Sequence, residues 1–199
     1  MTIEEFLKEL YGHELSDMFA GNRNSPKESR PKLLPLLNSA LEYAYSKWTC
    51  KTATAMLDTV EGTYEYVLPQ TDILQVLQLV NVYGVGLLES EYQVRGQTIY
   101  FPRPATQTLQ VVYKTIPTKM LVTQDDATVA LEVPVLLVPW VKAWVCWRYF
   151  APMVSEEGKA KALEFLNQAN LAEALFVSTN TTNEFTAVPN TKMEARGFA

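Results

Sequence analysis

The sequence predicts an α+β fold: a helical bundle with an inserted small antiparallel β unit and an extended C-terminal tail. Apolar residues recur at helical spacing near both ends of the chain. Between them, residues 50–129 carry short alternating runs rich in β-forming residues. After residue 178 the chain is polar and lacks periodicity. We therefore expect a helical domain from residues 1–49 and 130–178, an antiparallel β domain at 50–129 and a tail at 179–199.

Two amphipathic helices are expected before residue 50. The first spans Ile3 to Phe19 and begins with Thr2 three residues before Glu5, which is the spacing of a capping box. Gly12 lies inside this helix and is expected to kink or split it. A polar loop follows. The second helix runs from about Pro31 to Trp48, because proline suits the first turn of a helix.

The middle of the chain predicts several short strands. Residues 51–59, 64–68 and 109–116 have strand patterns, and residues 73–83 predict one or two more. Gly96 and Gln97 separate two alternating runs and predict a hairpin turn. Alternation in the last strand predicts that three of its side chains share one face, namely Leu109, Val111 and Tyr113.

Helical patterns return near Pro134. The stretch from Val129 to Phe150 is the most apolar in the chain, but Glu132, Lys142 and two prolines interrupt it. A membrane span needs about 20 residues with few charges, so we expect a buried core helix instead. A last helix begins after Ser155, a good N-cap, and runs to about Val177.

Three tryptophans in the apolar helix lie at positions i, i+4 and i+7, which places them on one face. They are Trp140, Trp144 and Trp147. Base stacking on nucleic acid would need interleaved basic residues, and few are present. We therefore expect this face to lie in the core or at a subunit interface.

The charge and the cysteine content exclude several classes of protein. The formal net charge is −5, which argues against a general nucleic-acid or membrane binder. Residues 1–6 are acidic and do not resemble a secretory signal. Cys50 and Cys146 are expected to be free thiols, as in a cytosolic protein.

No group of residues predicts catalysis, a metal site or a cofactor. His13 is the one histidine and is expected on the surface. One histidine and two distant cysteines cannot form a zinc site, and Asp125-Asp126 is expected in a solvated turn. Gly84 and Gly86 lack the third glycine and the lysine of a phosphate-binding loop, so they predict a turn between strands. We therefore expect a structural protein and not an enzyme.

The order of these parts resembles the head-to-tail adaptor (connector) proteins of tailed bacteriophages, especially tail-tubular adaptors. The resemblance rests on a Tyr-x-x-x-Leu-Pro strand from Tyr64 to Leu74 and a Tyr-x-Val-x-Gly-x-x-Ile hairpin from Tyr92 to Ile99. A Leu-x-Val-x-Tyr strand from Leu109 to Tyr113 follows, and then Ile116-Pro117, an acidic turn and a Pro-led helix. It covers roughly Pro31 to Val177.

The resemblance implies an assembly of identical subunits and no reaction. A ring, typically a dodecamer, would dock on the portal protein and on a downstream tail protein such as a nozzle or tail tube. Genomic DNA would pass through its channel without sequence-specific binding. The protein would be assembled in the host cytoplasm and would lie at the neck of the virion, between capsid and tail.

The C-terminal tail is expected to dock on a neighbouring subunit or on the portal. Its apolar residues would make the contact, and they are Phe185, Val188, Pro189 and Phe198. A second hypothesis of another class stays open: a small-molecule or peptide-binding module built on the β unit, with an apolar pocket.

Overall fold

The computed structural model describes residues 1–16, 26–88, 90–120 and 129–187. Within these ranges, it describes only the backbone of residues 26–29 and 180–187. Within them the chain forms four α-helices and two small antiparallel sheets, so the α+β class is confirmed. The helices are α1 (Ile3–Glu9), α2 (Pro26–Lys47), α3 (Val138–Phe150) and α4 (Glu156–Ala187). The strands are β1 (Thr52–Thr59), β2 (Glu65–Val67), β3 (Ile73–Asn81), β4 (Gln93–Arg95), β5 (Thr98–Tyr100) and β6 (Gln107–Thr115).

Internal contacts divide the chain into two units. Unit 1 comprises Met1–Leu37 and Asp125–Ala199, and unit 2 comprises Asn38–Gln124. The division falls inside α2, so this helix contributes residues to both units. The expected domain borders near residues 50 and 129, and the tail border near residue 179, stay a prediction.

The N-terminal helix of unit 1 begins with the predicted capping box. The Thr2 hydroxyl accepts a hydrogen bond from Glu5 N at 3.2 Å, and Thr2 N donates to Glu5 Oε2 at 2.7 Å. The α-helix ends at Glu9 and continues as a π-helical turn, Leu10–Glu14, which contains Gly12. The predicted irregularity at Gly12 is therefore a change of helix type. Residues 17–19 of the expected helix lie outside the described residues.

The second helix starts earlier than its sequence predicts, because Pro26 and not Pro31 takes the first helical position. Pro31 and Pro35 lie inside the helix, where each lacks a backbone donor. The prolines themselves are exposed, whereas the leucines of the same turns are buried. Packing of those leucines outweighs the two missing hydrogen bonds. They are Leu33, Leu34 and Leu37.

The larger sheet of unit 2 has the strand order β1-β6-β3, and all pairs are antiparallel. The alternation predicted for β6 is confirmed, since Leu109, Val111 and Tyr113 are all buried. Of residues 73–83, predicted as one or two strands, residues 73–81 form the single strand β3. Its register against β6 shifts twice, between Ile73 and Gln75 and between Val76 and Gln78.

The smaller sheet has the order β2-β5-β4 and contains the predicted hairpin. Arg95 pairs with Thr98, so Gly96 and Gln97 form a two-residue turn. Gly96 has φ +62°, and no other residue type in the described part of the chain has positive φ. A two-residue hairpin with positive φ at its first central position is of type II′, which requires glycine there.

The two C-terminal helices pack against each other in unit 1. The rings of Phe150 on α3 and Phe165 on α4 stack with centroids 5.7 Å apart. Ser155 is the predicted N-cap of α4, since its hydroxyl accepts a hydrogen bond from Gly158 N at 3.1 Å. Gly158 fits here because a Cβ at this position would lie 2.6 Å from Met153 Cβ.

The last helix is longer than its sequence predicts and ends at Ala187, not near Val177. The Ser178 and Thr179 hydroxyls donate hydrogen bonds to Leu175 O at 2.9 and 2.8 Å. Such bonds to the preceding turn accommodate polar residues within a helix. The first part of the expected extended tail is therefore helical, and residues 188–199 lie outside the described residues.

Candidate assembly surfaces

The structure describes the one histidine and both cysteines of the chain. His13 is exposed in the π-helical turn. No group of three or more histidine, cysteine or acidic residues there could hold a metal ion. The expected turn at Asp125-Asp126 lies outside the described residues.

Both cysteines are free thiols, as expected; Cys146 is buried and Cys50 is half-buried. Burial raises the pKa of the Cys146 thiol to about 12, and the nearby Glu14 carboxylate adds to this effect. Burial also raises the pKa of Cys50, to about 11. The thiolate is the reactive form of cysteine, so neither side chain is suited to act as a nucleophile at neutral pH.

The tryptophan face of α3 extends from the core to the surface. The Trp140 and Trp144 ring centroids are 6.1 Å apart, and those of Trp144 and Trp147 are 5.8 Å apart. Trp140 is buried, whereas Trp144 and Trp147 are half-buried. The Arg148 guanidinium lies 5.5 Å from the centroids of both half-buried rings. The face thus has one core residue and two residues that retain accessible aromatic surface.

A single charged side chain, Lys142, occupies the otherwise apolar first part of α3. Its ammonium forms an ion pair with the Glu9 carboxylate at the end of α1. Because the Lys142 side chain is largely buried, removing Glu9 would leave a poorly solvated charge. The pair therefore joins α1 to α3 within unit 1.

Helix α4 has an apolar outer face as well as its buried one. Phe165, Ala169 and Phe176 are buried. The exposed large apolar residues of this helix are Leu163, Leu171, Leu175 and Val177. Leu171 and Leu175 lie one helical turn apart, and exposed apolar patches are typical of protein contact sites.

A groove lies at one end of the larger sheet in unit 2. It has a volume of about 790 Å³ and is lined by α2 and by the strand ends of β1, β3 and β6. We call it the sheet-end groove, and the strand-end residues that line it are Lys51, Ala53, Asp72, Leu74, Thr115 and Ile116. Leu74 and Ile116 are partly exposed in it. Thr115 is 3% exposed, and its buried hydroxyl has no hydrogen-bond partner.

A protruding loop lies at the other end of the same sheet. Residues 82–88, which we call the tip loop, follow β3, and four of the seven are large apolar residues with more than half of their surface exposed: Val82, Tyr83, Val85 and Leu88. The predicted turn at Gly84 and Gly86 is part of it, since Gly84 has φ +80° and Gly86 bridges to Val80.

The Asn81 side chain fixes the conformation of the tip loop. Its Oδ1 accepts hydrogen bonds from Tyr83 N at 2.9 Å and Val85 N at 3.0 Å. The Asn81 backbone N–H also donates to Val85 O at 2.9 Å. The exposed apolar side chains are therefore held on an ordered backbone, which lowers the entropic cost of binding a partner.

Sequence patterns indicated the tryptophan face but not the sheet-end groove or the tip loop. The groove residues are scattered from Glu42 to Lys119, so no local pattern marks them. The tip loop has a visible signal, a cluster of large apolar residues around turn glycines. Of the predicted tail residues, Phe185 lies within α4, where only its backbone is described. Val188, Pro189 and Phe198 lie outside the described residues.

Comparison with known proteins agrees with the predicted resemblance. None of the helices in the described ranges is both long enough and apolar enough to cross a membrane. No curated protein matches the chain. Residues 7–191 match the family described as SU10 adaptor protein, which is consistent with a phage head–tail adaptor and with a place in the virion. The chain therefore belongs to the SU10 adaptor protein family.

Proposed function

We propose that the protein is a structural head-to-tail adaptor that forms a ring, joins the portal to the tail and lets genomic DNA pass. The observation that carries this proposal is the family match over nearly the whole chain. The name of that family supports a structural role rather than an enzymatic one. We propose twelve copies in the ring, docked between the portal protein and a nozzle or tail-tube protein at the neck of the virion.

Several surfaces support an assembly role. The outer face of α4 and the tip loop expose large apolar residues, which favours contact with other proteins. The net charge of −5 would limit adhesion of DNA to a channel wall. Trp144 and Trp147 retain accessible aromatic surface, and tryptophan is enriched among the residues that dominate interfaces.

Co-assembly with the portal protein tests the ring. The full chain should give closed rings on the portal in electron micrographs, and native mass spectrometry should give the copy number. A chain that stays monomeric with portal present would contradict the proposal.

A truncated variant tests the proposed contact of the C-terminal residues with the portal, provided that the truncation leaves α4 intact. Since α4 runs to Ala187, deletion of 188–199 leaves the helix intact, whereas deletion from Ser178 would remove its last turns. We expect the shorter deletion to weaken co-sedimentation with portal while circular dichroism stays unchanged. Unchanged co-sedimentation would contradict docking by Val188, Pro189 and Phe198.

The alternative of a small-molecule or peptide-binding module has one observation in its favour. The volume of the sheet-end groove, about 790 Å³, falls within the range of ligand pockets. The same mass measurement separates the two hypotheses, because a binding module would remain a monomer or dimer in the presence of portal.

A further inference from the structure

The larger sheet of unit 2 has two edge strands that differ in how their free edges are protected. Its strand order is β1-β6-β3, so β1 and β3 form the edges. An edge strand presents backbone N–H and C=O groups that can pair with another chain, and proteins usually protect such edges with bulges, prolines, charges or covering segments.

The edge at β3 is protected along most of its length. The two register shifts against β6 are irregularities that disrupt the addition of a further strand. At the end of β3 the tip loop folds back along the outer edge. Asn81 N donates to Val85 O at 2.9 Å, and Leu87 N donates to Leu79 O at 2.8 Å. These bonds occupy the outward backbone groups of this part of β3.

The edge at β1 lacks such protection. All eight residues of β1 pair with β6 without a register shift. The strand contains neither proline nor lysine, and Asp58 is its one charged residue. Among the described elements, β6 is the one that packs extensively against β1. The outer edge of β1 is therefore regular and open in the described part of the chain.

The hydrogen bonds at both ends of β1 show which residues point to the open edge. Thr115 N donates to Lys51 O at 3.2 Å, so the odd-numbered residues of β1 bond to β6 and the even-numbered ones point away from it. Val60, the next even-numbered residue, donates its N–H to Tyr66 Oη at 2.6 Å. Within the described residues, the outward backbone groups of four residues have no partner: Thr52, Thr54, Met56 and Asp58.

We propose that β1 of the free chain pairs in antiparallel fashion with β1 of a second copy, so that two copies of unit 2 share one six-stranded sheet. The two-fold axis passes through the pair of Ala55 residues. Thr54 then lies opposite Met56 of the second copy, and Thr52 lies opposite Asp58. This register satisfies every outward N–H and C=O of both strands, which gives about eight hydrogen bonds.

The sequence of β1 is complementary to itself in this register. Asp58 faces a threonine and not the second Asp58, whereas like charges directly opposite each other would be destabilising. On the core-facing side, Ala55 meets Ala55 and Ala53 meets Leu57, so all cross-strand pairs there are apolar. Ala55 and Leu57 are each 8% exposed, and the core of one copy would continue into that of the other.

Pairing through β1 also explains why association would stop at two copies. Once the dimer has formed, both remaining edges of the sheet belong to β3, which is irregular and partly covered by the tip loop. The contact is isologous, whereas a cyclic ring needs heterologous contacts. The dimer must therefore open before its subunits enter a ring. The inference concerns the free chain and goes beyond the proposed function.

Sedimentation of the full chain without portal tests the dimer. A contact between two edge strands is small compared with a stable interface, so the dimer should dissociate on dilution. We expect a monomer–dimer equilibrium and no larger species as the concentration rises. A wild type that stays monomeric throughout, or that forms an open series of oligomers, would overturn the inference.

A proline on the open edge tests the role of the backbone. Thr54 points its N–H outward, so Thr54→Pro removes no bond to β6 but removes one to the second copy. We expect its dissociation constant to rise at least tenfold. Thr54→Val keeps the N–H and should stay within about threefold of the wild type. Circular dichroism checks the fold, and equal dissociation constants for the two variants would refute pairing at this edge.

Cross-linking tests the register and does not depend on the proline variant. In a Cys50→Ala background, the two Thr54→Cys positions of a dimer lie about 8 Å apart, whereas the two Thr52→Cys positions lie about 20 Å apart. Both threonines are exposed on the same face of β1. A bismaleimide that spans about 8 Å should join the first pair at least tenfold faster. Equal rates would contradict the register.

The ring on the portal is a separate measurement, so the two proposals can fail separately. If the free chain is monomeric but forms rings on the portal, the dimer is wrong and the adaptor function stands. If the free chain dimerises through β1 but no ring forms on the portal, the dimer stands and the proposed ring is wrong.

Discussion

The Asn38 side-chain amide forms two hydrogen bonds with the backbone of Met120, as a backbone amide does in a β-ladder. Asn38 Nδ2 donates to Met120 O and Asn38 Oδ1 accepts from Met120 N, each at 3.0 Å. Met120 is buried, so its backbone groups have little access to water. This pair joins α2 to the chain that follows β6 within unit 2.

Replacing Asn38 should therefore destabilise unit 2. Asn38→Ala leaves two shielded backbone groups without partners and should lower the free energy of unfolding by about 1–3 kcal/mol. Urea denaturation followed by circular dichroism measures the loss. Ser39→Ala, the next residue of the same helix, should change stability little. Equal losses in the two variants would contradict a specific role for the Asn38 amide.

The tryptophans of α3 should differ in their contributions to stability. Trp140 is 2% exposed, so Trp140→Ala opens a cavity and should cost about 3–5 kcal/mol. Trp147→Ala should cost less, because Trp147 is half-buried. Thermal unfolding of both variants checks the order. A larger loss at Trp147 would contradict the assignment of Trp140 to the core.

The capping box should make the stability of α1 depend on pH. The hydrogen bond from Thr2 N lowers the pKa of Glu5 below its ordinary value of 4.5. A depressed pKa means that the stabilisation is present above the unfolded value and is lost as the pH falls through the folded one. We expect the melting temperature of the wild type to fall more steeply below pH 4.5 than that of Glu5→Gln. Parallel profiles would contradict this.

The hairpin turn in the smaller sheet should require glycine because of its positive φ, and not because of a lack of space for a side chain. Gly96 has φ +62° and open space around the position of a Cβ, so Gly96→Ala meets strain without a steric clash. We expect a loss of about 1 kcal/mol, and a smaller loss for Gly96→Asn. Gly12→Ala is the control, because Gly12 is helical and also has open space. Urea denaturation should show that Gly12→Ala is neutral or stabilising.

Local patterns predicted the parts of the fold that are stabilised locally. The capping spacing of Thr2 and Glu5, the N-cap at Ser155 and the alternation in β6 each depend on neighbours within a few residues. The burial pattern of β3, in contrast, does not depend on neighbours within a few residues. Ile73, Val76 and Leu79 are buried at every third position, because the two register shifts against β6 add residues to the strand. Pairing with another strand sets those shifts.

The candidate contact surfaces were predicted less well for the same reason. The tryptophan face follows from helical periodicity. The sheet-end groove forms where α2 and three strand ends meet in space, which no local sequence pattern shows. The same holds for the Thr115 hydroxyl, because its lack of a hydrogen-bond partner depends on the packing around it. The ends of α2 and α4 also differed from prediction, since α2 begins at Pro26 and α4 continues to Ala187.

The distribution of the two thiols gives the molecule an internal reporter. Cys50 lies in unit 2 and Cys146 in unit 1. Cys146 is buried, so a thiol reagent can modify it only when its surroundings open, whereas the half-buried Cys50 keeps some accessible surface in the folded structure. Mass spectrometry of the labelled Cys146 peptide would then time the loosening of unit 1, in the free subunit and in the assembled particle, with Cys50 as an internal reference for a partly accessible thiol.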